Sequence, residues 1–110
     1  MASFDVLKEY VDKINSSSDL KAELKGMNAV FQFKNEAQSF YLKISEDGST
    51  ILEKGEHPSP TVVLTASEND LESIISGKMD GVAAFFQGKL KIKGDPFLAQ
   101  KLVNVMKKLK

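Results

Sequence analysis

Apolar residues recur along this chain with two different periods, and the changes of period mark out its elements. Phe4, Leu7, Val11 and Ile14 share one face at helical spacing, so 4–15 reads as an amphipathic helix with Ser3 as its N-cap. Ser16-Ser17-Ser18 breaks it, and 19–24 reads as a short second helix stopped by Gly26. From Met27 the period falls to two. Met27, Ala29, Phe31 and Phe33 face one way, and Asn28, Gln32 and Lys34 face the other. Phe40, Leu42 and Ile44 alternate with Tyr41 and Lys43, Asp47-Gly48 signals a hairpin, and a shorter strand follows over Thr50–Lys54.

Two prolines make 55–60 a loop, and the β-branched run 61–66 reads as a fourth strand. Ser67 caps a third helix whose first turn is acidic and whose apolar face is Leu71, Ile74 and Ile75. Residues 79–87 predict a fourth helix, with Met79, Val82, Ala83 and Phe86 on one face, Phe85 beside them and Gly88 at its C-terminal stop. Lys89-Leu90-Lys91-Ile92-Lys93 alternates strictly and predicts a fifth strand. Asp95 then caps a last helix with Pro96 at its first position. On that helix Leu98, Leu102, Val105 and Leu109 form a stripe, which Phe97, Val103 and Met106 widen beyond one helix-on-sheet contact.

This order predicts an α+β fold: a five-stranded, mostly antiparallel sheet with about five helices on one face. The opposite sheet face, bearing Asn28, Gln32, Lys34, Lys43, Lys89, Lys91 and Lys93, is expected to be wet. No composition shift, repeat or low-complexity tract divides residues 1–110, so a single domain is expected.

The run A-F-F-Q-G-K-L-K-I-K-G-D over 84–95, followed by L-A-Q-K-L over 98–102, resembles the sterol carrier protein 2 family. The element order over most of the chain is similar too. The resemblance implies a non-enzymatic carrier of fatty acids, fatty acyl-CoA, sterols or phospholipids, with an apolar tunnel between sheet and helices and the last helix as a wall or lid. It implies that Met79, Val82, Phe85, Phe86 and Gln87 form a pocket segment and that Leu98, Leu102 and Met106 close it. Phe31 and Phe33 on the sheet and Ile74 on the third helix join them as candidate lipid contacts. Gln87, an amide next to two rings, needs either a ligand headgroup or a backbone partner.

Composition narrows the alternatives. There is no cysteine, hence no disulfide, thiol nucleophile or thiolate metal site. The single histidine, His57, lies beside two prolines and reads as exposed loop rather than catalyst; no nucleophile elbow, phosphate loop or metal-ligand spacing occurs, and no cofactor is implied. All fifteen basic residues are lysine, and net charge is zero, which disfavours a nucleic-acid partner.

Charge is nevertheless uneven. Residues 89–110 hold seven lysines against Asp95 alone, so the first 88 residues carry the compensating negative charge. Lys101, Lys107, Lys108 and Lys110 are therefore candidate contacts for an anionic membrane or acyl-CoA phosphates. A monomer is expected. Lacking a basic leader, a long apolar run and a Ser-Lys-Leu type ending, the chain reads as soluble and intracellular, cytoplasmic or peroxisomal. The rival expectation is an interaction or regulatory module with a solid core that dimerises through its last helix.

Overall fold

A computed structural model describes residues 1–109. The elements follow the order α1 (Ser3–Asn15), α2 (Ser18–Leu24), β1 (Ala29–Lys34), β2 (Ser39–Ile44), β3 (Thr50–Lys54) and β4 (Val62–Thr65). Then come α3 (Glu68–Ile75), α4 (Gly81–Phe86), β5 (Lys91–Gly94) and α5 (Pro96–Lys107). The strands form one sheet in the order β3-β2-β1-β4-β5. Only β1 and β4 run parallel, with Phe31 opposite Val62 and Phe33 opposite Leu64, so the sheet is mixed, with a single parallel pair among its four.

The period-two reading of the strands translates directly into a core. Phe31, Phe33, Phe40, Leu42, Ile44, Val62 and Leu64 join the buried faces of α1, α3 and α5 in one apolar cluster. Its densest part is aromatic: Phe33 stacks on Phe40 at 5.3 Å, and Phe4 meets Phe40 edge-on at 5.4 Å. Polar ties fix α1 over this part. Asn15 exchanges two hydrogen bonds with the Thr50 backbone, and the Tyr10 hydroxyl donates to Ile75 O at 3.1 Å.

Two sequence expectations are corrected here. Ser3 is not an N-cap: Ala2 holds that position, and Ser3 is fully buried, its N–H and hydroxyl donating to the two oxygens of Glu68 at 2.8 and 2.6 Å. Asn35 donates to the same carboxylate, so Glu68 binds α1, the β1–β2 turn and α3 together. Second, the outer sheet face is not wet throughout. Gln32 is 1% exposed because the 55–60 loop folds over it. Its amide nitrogen donates to Phe40 O and Gly55 O, and its oxygen accepts from His57 N. His57 is thereby half-buried with its ring edge-on to Tyr41, not free loop. A Lys34–Glu56 ion pair at 2.8 Å holds the same loop, and that hydrogen-bonded lysine lowers the Glu56 pKa below its ordinary value.

Gln32→Leu removes these bonds while nearly keeping the volume. It is expected to cost about 1–3 kcal/mol, because the partners it leaves behind lose their bonds. Urea unfolding measures the loss, and faster exchange of the His57 amide should accompany it.

An open apolar cleft between the last two helices and the edge strand

The C-terminal half of the sheet is covered differently from the N-terminal half. The fourth helix is shorter than the 79–87 segment expected. Asp80 is its N-cap, accepting from Val82 N, and Met79 precedes it. Gly88 follows the Gln87 C-cap at φ 77°, the left-handed conformation that suits glycine, and the chain turns into β5.

The expected orientation of this helix is also corrected. Its buried residues are Gly81 and Ala84, not the large ones. Val82 and Phe85 are exposed, and Phe86 is 80% exposed. The core at this point has room for a close backbone and small side chains, so the rings turn outward. A Cβ added at Gly81 would stand 3.5 Å from Ile74 Cγ2 and 3.9 Å from Val103 Cγ2.

Small residues on the inside leave space. A cleft of about 270 Å³ opens between α4, β5 and α5. Val82, Phe85 and Phe86 form one wall, Leu64, Leu90 and Ile92 its floor, and Phe97, Ala99 and Val103 the other wall. Gln100 is the one polar side chain among the lining residues, and its amide donates to Asn104 at 3.0 Å. A second cavity of about 190 Å³ lies on the far side of Gly81, against Ile74, Ile75, Met79 and Met106, with Asp80 and Lys107 also lining it. A third void of about 30 Å³ sits between them in the core, touching Phe33, Leu71, Ile74 and Leu102. Val103 lines all three. The three spaces are neighbours with shared linings, and the Val103 side chain stands where they meet.

The sequence-derived candidates divide accordingly. Val82, Phe85 and Phe86 line the cleft, Met79 lines the second cavity, and Ile74 and Met106 line the second cavity and the inner void. Phe33 and Leu102 reach only the inner void. Phe31 is wholly buried in the core, and Leu98 is half-buried; neither lines a cavity. Gln87 is exposed and is not among the residues lining the cleft.

Of the lysine candidates, Lys101 is exposed and Lys107 lines the second cavity. Lys108 pairs with Glu23 at 2.7 Å, and Lys110 lies outside the described residues. Sequence reasoning missed Gly81, Leu64, Leu90, Ile92, Ala99 and Gln100 as lining residues. The strict alternation of β5 already placed Leu90 and Ile92 together, but nothing local marked Gly81 or Ala99.

The fold and the cleft define a small α+β domain with an apolar site under its last two helices. The chain belongs to the SCP-2 sterol transfer family, whose model matches residues 7–107. It is 30% identical to a fatty acid-binding protein of Yarrowia lipolytica, over 94% of this chain and 85% of that protein. It is 28% identical to sterol carrier protein 2 of Bos taurus over 91% of this chain, but spans only 19% of that longer protein. Among solved structures, the apo form of sterol carrier protein 2 from Yarrowia lipolytica superposes with a TM-score of 0.70 at 28% identity, covering 94% of this chain and 86% of that one.

Gly81→Ala fills open space between the cavities with one methyl at ordinary contact distance and removes a flexible residue from a helix. It should stabilise the fold by about 0.4–1 kcal/mol, read as a higher urea midpoint with unchanged slope.

Proposed function

We propose that this chain is a non-enzymatic lipid carrier that holds the acyl chain of a fatty acid, fatty acyl-CoA or phospholipid, or a sterol, in the cleft beside Val103. The observation that carries the reading is the cleft itself: about 270 Å³ of apolar space with one amide on its wall. Its lining holds no acid, histidine or hydroxyl that could act on a bound molecule, which supports binding without catalysis. The Yarrowia lipolytica relative is named as a fatty acid-binding protein and the Bos taurus relative as a sterol carrier, and both names support the same reading.

Energetics fit a carrier. A chain of about 16 methylenes gains on the order of 12 kcal/mol from burial, and association and ordering remove several of those. Micromolar to nanomolar binding remains. Apolar walls discriminate weakly between ligands differing by a methylene, so a range of lipids is accommodated. The cleft alone is smaller than the roughly 300 Å³ at which ligand sites begin. A long tail therefore has to displace Val103 and run on toward Met79 and Met106. Lys107, at the second cavity, and Lys101 then suit an anionic headgroup or phosphate, and Lys108 and Lys110 extend the same basic end.

In this reading residues 1–110 act as one domain and a monomer, exchanging cargo with an anionic membrane surface in the cytoplasm or a peroxisome. The open apolar cleft favours this reading over the rival, a solid-core module dimerising through α5.

Titration with a fluorescent fatty acid should give a saturable one-to-one isotherm; no binding at tens of micromolar (a free energy weaker than about −6 kcal/mol) contradicts the proposal. Val103→Phe should weaken palmitate more than octanoate, because only the longer chain needs the passage.

A further inference from the structure

Among the described residues six large apolar side chains are exposed, and four of them, Val82, Phe85, Phe86 and Phe97, stand around the mouth of the cleft. The contrast among the phenylalanines is sharp. Phe31, Phe33 and Phe40 are at most 2% exposed and Phe4 packs on Phe40, whereas Phe86 is 80% and Phe97 82% exposed. Phe86 meets Phe85 edge-on at 5.5 Å, and the two lips of the opening together present an apolar edge to water.

Lysines outnumber acids around this edge: Lys89, Lys91, Lys93 and Lys101 against Asp80 and Asp95. Lys89 follows Phe86 by three residues. Ile92 lines the cleft, so its neighbours Lys91 and Lys93, both exposed, lie on the opposite face of the same edge strand. On α5, Lys101 lies one turn beyond Phe97 on the same exposed stripe. None of these four lysines makes an ion pair among the described residues. The nearest acids in sequence, Asp80 and Asp95, are engaged as helix N-caps.

We propose that the Phe86–Phe97 lip, flanked by Lys89 and Lys101 and backed by Lys91 and Lys93 on the outer face of the edge strand, is the docking surface for an anionic lipid bilayer. The two rings enter the interface, the lysines meet the headgroups, and the cleft mouth is set directly against the acyl chains. Aromatic rings beside lysines are the combination that an anionic interface binds, through burial and short-range attraction together. A second copy of the chain is a poorer occupant, because two-fold docking of this edge would set unpaired lysines against lysines. The surface shares Lys101 with the basic C-terminal end suggested by the sequence but leaves out Lys108, which is already paired with Glu23.

The inference rests on the carrier reading, and one set of measurements separates their failures. Vesicles of phosphatidylcholine, with and without about a third phosphatidylserine, are co-sedimented with the full chain, Phe86→Ser/Phe97→Ser and Lys89→Glu/Lys101→Glu. All four positions are solvent-exposed, so the variants keep the fold. The wild type should bind the anionic vesicles, and each double variant should lose about tenfold or more in partitioning. Spin-labelled lipid should broaden amide resonances of residues 85–89 and 96–101 first.

Unchanged partitioning in both double variants, broadening centred on α1, or a dimer by light scattering that the ring substitutions dissolve would each overturn the docking surface. Failure of the wild type to bind fatty acid in vesicle-free buffer would overturn the carrier reading instead.

Discussion

Three small residues decide how the C-terminal half of this molecule is built: Gly81 and Ala84 on α4, and Ala99 on α5. They face the interior where larger side chains would normally interlock. Helix α4 therefore presents almost no side-chain volume to the sheet, and its two rings can only turn outward. The cleft over Leu90 and Ile92 and the exposed aromatic lip are two consequences of the same packing. The opposite half of the sheet shows the alternative outcome. There Phe4, Phe33 and Phe40 interlock at centroid distances of 5.3–5.4 Å under α1.

A solid half and an open half suit a protein that must admit a bulky apolar guest without unfolding. The ties that hold α1, α3 and the outer loop are polar and at least partly buried: the Glu68 carboxylate with Ser3 and Asn35, and the Gln32 amide with the 55–57 backbone. By contrast, α4 is six residues long and buries only a glycine and an alanine. Few buried contacts mean a low cost of local opening. The element best placed to move is thus the one that walls the cleft, while the sheet and α1 stay fixed.

Much of this was legible in the chain. The strand alternation fixed the inward face of the sheet, and the caps at Ser67 and Asp95 marked two helix starts. The motif over 84–102 pointed to the right family. Three features were not legible, each for a physical reason. Helical spacing shows which residues share a face but not whether that face is inside; at Val82 and Phe86 the usual assumption that large apolar residues point inward fails. Gln32 looked like a solvent residue because only the fold brings the 55–60 loop back over it. Ser3 sat where a cap belongs, but its partner, Glu68, is 65 residues away.

The account stands on the cleft beside Val103 being a place where an acyl chain lies. The most direct measurement is isotope-filtered nuclear Overhauser spectroscopy on the protein with one equivalent of palmitate. Contacts from the chain methylenes to the methyl groups of Val103, Ala99 and Leu90 are the predicted result. Palmitate that shows no contact with those methyls, or touches only the exposed faces of Phe86 and Phe97, would contradict it.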